Sequence, residues 1–166
     1  MATKRQVFYS FHYIKDYWRA AMVRSIGVIE GNKPAADNDW ETVVRGGEEA
    51  IKKWIKEQMK YRSCVVVLVG RQTANRKWIN FEIAEGWNAG LGVVGIRIHG
   101  LKDSGGFVTL SGANPFDYIS LGNSKKMSDI VRCYNPKGAI SKEKYDWISR
   151  YISAAVEEAI KIRNNN

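Results

Sequence analysis

At 166 residues, 45% of them hydrophobic and 26% charged, the chain can bury a core of its own without staples and reads as one domain over residues 1–166. Two cysteines, Cys64 and Cys133, are too few for a disulfide scaffold, and the longest apolar run, Cys64 to Val69, is far too short to span a bilayer. The formal net charge of +9 and pI near 9.6 favour an anionic partner. The lysines and arginines are dispersed rather than clustered, so a dinucleotide suits them better than a nucleic acid.

The start, Met1 to Gln6, has neither a long apolar stretch nor a small-residue cleavage site, which predicts a cytoplasmic protein with reduced thiols. Val7-Phe8-Tyr9-Ser10-Phe11 reads as a first strand. Asp16 caps or opens the helix that follows, where Trp18, Met22, Ser25, Ile26 and Ile29 recur at helical spacing. Residues Gly31 to Asp39 form a polar connection with at most a short edge strand. A second helix follows Gly46-Gly47, with Ile51, Trp54, Ile55 and Met59 along one face.

Cys64 to Val69 is a continuous, mostly β-branched run, the pattern of a strand buried on both faces. It ends at Gly70, and the loop Arg71 to Lys77 leads into a helix from Trp78 to about Ala89. Val93 to Ile98 is another strand, and Gly100 to Ser124 a long irregular segment. A last helix carries Tyr145, Ile148, Ile152, Ala155, Val156 and Ala159 on one stripe, and Asn164 to Asn166 should fray. Alternating strands and helices predict an α/β fold, a parallel sheet with helices on both faces. Such folds bind ligands beyond the carboxyl ends of their strands, so the loops after Phe11, Val69 and Ile98 are the ones to inspect.

Several motifs fail on context. Gly90-Leu91-Gly92-Val93-Val94-Gly95 matches the dinucleotide string, but it runs from helix to strand, the reverse of what pyrophosphate binding needs. No P-loop string is present. A receiver domain needs carboxylates at the tips of its first and third strands, where this chain has Ser10-Phe11-His12 and Val69-Gly70-Arg71. Two histidines and two scattered cysteines make no typical metal site.

What remains centres on Glu82. At ~100° per residue, Ile79, Ile83, Gly86 and Gly90 form the buried face of its helix. Glu82 then lies at the shoulder of that face, one turn from Trp78, while Glu85 points away. Its place early in the helix favours the ionised form. Spacing alone equally allows a solvated first-turn acid. In the same way Ser10 reads as a ligand-facing or a turn residue, His12 as a site residue or a locally bonded one, and Trp40 as a platform or a core-edge cover. Arg71, Gln72 and Thr73 border the same cleft if the loop lies where the fold puts it, with Arg71 and Arg76 either gripping a pyrophosphate or solvated.

The stretches Val7-Phe8-Tyr9-Ser10-Phe11-His12-Tyr13, Asp39-Trp40-Glu41, Cys64 to Gly70, Gln72 to Ile83 and Asn114-Pro115-Phe116-Asp117-Tyr118 resemble the TIR-like family typified by the sensor proteins of Thoeris antiphage defence. The pairing of the aromatic strand ending in Ser-Phe-His with the Trp-x-x-x-Glu-Ile helix is specific. The resemblance implies a flavodoxin-like TIR fold, with about five parallel strands, that takes NAD as substrate rather than cofactor and uses no metal. It implies that Glu82 is the catalytic carboxylate, with Ser10, Phe11, His12, Trp40, Arg71, Gln72, Thr73 and Trp78 binding substrate. Nicotinamide release would then yield a cyclic ADP-ribose-type messenger acting on a separate effector protein. Neither a membrane nor a nucleic acid is an expected partner, and self-association is left open. Because adaptor-type TIR domains keep the fold without the chemistry, a non-catalytic interaction module is the competing expectation.

Overall fold

The computed structural model describes residues 4–31 and 43–166. Five parallel strands form its sheet: β1 (Gln6–Ser10), β2 (Glu30–Gly31), β3 (Cys64–Val69), β4 (Gly92–Arg97) and, after a separate two-stranded antiparallel ribbon of β5 (Ser120–Gly122) and β6 (Lys125–Lys126), β7 (Cys133–Tyr134). Their spatial order is β2-β1-β3-β4-β7. The helices are α1 (Tyr13–Arg24), α2 (Glu48–Met59), α3 (Lys77–Asn88) and α4 (Ser141–Asn164). This is the expected flavodoxin-like α/β arrangement. Among the described residues no helix is long and apolar enough to cross a membrane.

All six residues of β3 are buried, because helices cover both of its faces. On one face Val7, Tyr9, Val66 and Leu68 pack against α1 and α4. On the other Phe8, Val65, Val67 and Val69 pack against Ile51, Ile55 and Met59 of α2 and Ile79 and Ile83 of α3. Side chains of a strand alternate between faces, so Ser10 falls with Phe8 on the α2/α3 side. Residues 10 and 82 therefore share a layer.

The glycines of the rejected string have structural work. Gly90 (φ +85°) ends α3, its N–H donating to the Trp87 carbonyl at 3.0 Å. At Gly92 a Cβ would stand 2.7 Å from the Ile160 nitrogen, so glycine lets α4 lie close on the sheet. Both cysteines are free thiols, and burial pushes the Cys64 thiol up.

Three expectations need correction. The buried face of α1 is Asp16, Arg19, Ala20 and Val23, not the stripe through Trp18, and Trp18 is 51% exposed. Of the expected stripe, Ile29 lies in the core and Met22 and Ile26 pack against it, and a buried ion pair shares that side of the helix. The segment from Gly100 to Ser124 is irregular only in part: it contains a 3₁₀ turn over Pro115–Tyr118, opened by the Asn114 side chain accepting from Phe116 N–H, and then β5. The third concerns the C-terminus, where α4 continues to Asn164 and Asn165 caps it through N–H donation to the Lys161 and Ile162 carbonyls.

Candidate active site

In a sheet ordered β2-β1-β3-β4-β7 the direction of winding reverses between β1 and β3, and a crevice opens at their carboxyl ends. Ser10 ends β1, and Gly70 follows β3. From Gly70 the loop carries the chain across to α3, whose second turn bears Glu82.

Ser10 is fully buried. Its hydroxyl faces Glu82 closely enough to draw that carboxyl's pKa down, yet its Oγ closes no hydrogen bond among the described residues. We read the two groups as adjacent but unlatched. Glu82 keeps part of its surface open, while the protein crowded round it pushes its carboxyl up to about 8, Ser10 only partly opposing that rise. Burial therefore outweighs the helix-end field that was expected to favour the ionised form. A carboxyl group poised near neutrality, beside a buried hydroxyl with no partner, is an arrangement found where a ligand completes the bonding.

His12, just ahead of α1, is 8% exposed, and its Nε2 has no partner among the described residues. Burial first, then repulsion from Arg76 and Lys15, holds its imidazole below the usual value. The loop carrying Arg76 thus reaches the His12 side of the crevice. Arg71 and Gln72 are exposed, and the Gln72 carbonyl accepts from Arg76 Nε at 2.9 Å. Thr73 is fully buried, its Oγ1 accepting from Gly70 N–H at 2.8 Å; the hydroxyl shapes the loop. Trp78 is half-buried, edge-on to Phe81 at 5.7 Å, with the Lys77 ammonium 5.2 Å from its ring centre. Phe11 turns the other way: it packs with the α1/α4 cluster and stacks on Tyr13 at 6.3 Å. The fold does not bring it to the Glu82 side. Trp40 lies outside the described residues. Glu85 is half-buried rather than directed fully into solvent.

Spacing did not reveal the buried pair beneath this crevice. Asp16 Oδ1 accepts from Arg19 Nη1 at 3.2 Å, and both side chains are 3% exposed. Arg19 also donates to the Leu101 carbonyl at 2.7 Å and to the Phe107 carbonyl at 2.9 Å. It thereby ties down residues 99–112, which cross the carboxyl edge of the sheet. Gly112 in turn lies over the Gly70 and Arg71 carbonyls and accepts from Arg97 Nη1 at 2.6 Å. The one available signal was the i, i+3 placement of opposite charges, which on most helices marks a solvated pair.

Known proteins resemble this chain over much of its length. Residues 8–103 match the family of Thoeris protein ThsB, TIR-like domain, a span that holds Ser10, the crevice loop and Glu82. The chain is also 36% identical over 121 residues to a Bacillus cereus (strain MSX-D12) protein named "Putative cyclic ADP-D-ribose synthase ThsB1", covering 69% of this chain and 62% of that relative. With the parallel sheet and its order in place, the chain belongs to the TIR-like domain family of the Thoeris protein ThsB.

Proposed function

We propose that this protein binds NAD in the crevice between β1 and β3 and breaks the bond between nicotinamide and ribose, with Glu82 as the catalytic carboxylate. What carries the reading is the juxtaposition of Glu82 with the buried, unpartnered Ser10 hydroxyl at the point where the sheet reverses.

The chemistry follows from the charges. The nicotinamide ring of NAD is cationic, and its approach favours the ionised carboxylate, bringing the Glu82 pKa down from its free-protein value. As the C1′–N bond breaks, the electron pair leaves with neutral nicotinamide and positive charge passes to the ribose ring. An ionised Glu82 stabilises that charge and accepts hydrogen bonds from ribose hydroxyls. Ser10 and His12 offer further polar contacts, and Arg71 a counter-charge for the pyrophosphate. Capture of C1′ by an adenine nitrogen closes a cyclic ADP-ribose isomer. Capture by water, with loss of a proton, gives the linear product.

The adenine route accords with the name of the Bacillus relative. A cyclic nucleotide made this way would act as a messenger to a separate effector in antiphage defence. The test is incubation of purified protein, and of cells carrying it during infection, with product identification by mass spectrometry. Nicotinamide together with a cyclic ADP-ribose isomer supports the proposal. NAD left intact under both conditions would refute it.

A further inference from the structure

Away from Glu82, α1, the first turn of α4 and the 99–112 strap enclose an open groove of about 920 Å³. Its walls combine two kinds of side chain. Trp18, Val108 and Ile140 are 51%, 54% and 58% exposed, so three large apolar side chains from three different segments face one groove. Lys102, Lys142 and Lys144 stand among them. The one acidic side chain of the wall, Asp103, is spoken for: its Oδ1 accepts from the Gly105 and Phe107 N–H groups at 2.9 Å, and its Oδ2 lies 3.8 Å from Arg19. Lys142 pairs with Asp146, and the half-buried Lys144 donates to the Pro136 carbonyl at 3.3 Å, but no ion pair among the described residues engages Lys102 or Lys144.

We propose that this groove is a docking surface for an acidic, amphipathic segment of a partner protein, whose apolar side chains seat on Trp18, Val108 and Ile140 while its carboxylates meet Lys102 and Lys144. Charge selects this occupant. A second copy packed through the groove about a two-fold axis would turn one lysine-bearing wall towards another, within an association between chains of net charge +9. The openness of the groove and its exposed Trp suit a protein segment laid along it. Basic residues at its rim would speed encounter with an acidic partner.

The test uses two synthetic helix-forming peptides with identical leucines at helical spacing, one with glutamates and the other with lysines between them. Binding to the whole protein is followed by amide and indole chemical shifts. The glutamate peptide should bind saturably and move the Trp18 and Ile140 signals. Trp18→Ala and the double variant Lys102→Glu/Lys144→Glu should each weaken it at least about tenfold, their spectra otherwise showing an intact fold. Equal binding of the lysine peptide, or no shift at the groove, would overturn the proposal. So would tighter seating of a single-stranded oligonucleotide on the same signals, or a dimer in light scattering that Trp18→Ala dissolves. None of these measurements reads NAD turnover, so the result stands apart from the assignment of Glu82.

Discussion

The carboxylate of Asp16 occupies the space that any side chain at position 70 would need: a Cβ on Gly70 would stand 2.6 Å from Asp16 Cγ. Asp16 cannot swing aside, because its Oδ1 is tied to Arg19, which is itself fixed on the strap. Gly70→Ala should therefore destabilise the protein by ~1–3 kcal/mol. For a chain of this size that lowers Tm by about 2–4 °C per kcal/mol. Thermal unfolding followed by circular dichroism checks it; an unchanged Tm would mean that the Asp16–Arg19 pair is not rigid.

Removing Arg19 strands a buried carboxylate and two strap carbonyls. Arg19→Met should cost ~3–5 kcal/mol, the usual penalty for breaking a buried ion pair from one side. Asp16→Asn in that background should recover part of the loss, because it removes the uncompensated charge. Limited proteolysis should also cut residues 99–112 of Arg19→Met faster than those of the wild type. Strictly additive losses in the double variant would show that the two side chains act separately.

Much of the fold was open to reading because burial leaves a pattern in the sequence. β3 is an unbroken apolar run buried on both faces, while the Ile51/Ile55/Met59 face of α2 and the α4 stripe recur at helical spacing. The site was legible in part: Ser10 was readable as a strand-tip residue and Glu82 as lying at the shoulder of its helix, and the fold sets both in one layer. Two things were hidden. The α1 face buries Asp16 and Arg19, and no hydropathy pattern reports a charge whose partner lies three residues away and whose remaining bonds go to Leu101 and Phe107. Strand β7 spans only Cys133–Tyr134, too short to have a period at all. Phe11 shows the converse, since the same alternation that brings Ser10 to Glu82 sends its neighbour to the other face.

Glu82 makes both activity and stability depend on pH. Its carboxyl is raised to about 8 in the folded protein but titrates near 4.3 when unfolded. Between those values the native state binds more protons than the unfolded chain, so stability is full at low pH and falls as pH rises through that window. Glu82→Gln should remove this slope and be the more stable form at pH 9, by on the order of a few kcal/mol. If the ionised form is the active one, kcat/KM for NAD should climb towards a plateau above pH 8, while kcat levels off at lower pH in the complex. A kcat/KM that falls over the same range would contradict the assigned role.

Arg71 is exposed at the mouth of the crevice. Its replacement by alanine should raise KM for NAD several-fold with kcat little changed, because pyrophosphate binding is the same in ground and transition states. An unchanged KM, with an unchanged salt dependence of NAD binding, would assign Arg71 to solvent.

The most direct measurement compares NAD turnover in wild type, Glu82→Gln and Glu85→Gln, with folding of each checked by circular dichroism. Glu85 lies on the same helix, three residues on from Glu82, so the pair separates site chemistry from helix composition. Glu82→Gln should lose turnover about a hundredfold or more, as removal of a principal transition-state charge does, and Glu85→Gln should stay near wild type. Equal activity in the two folded variants would contradict the account.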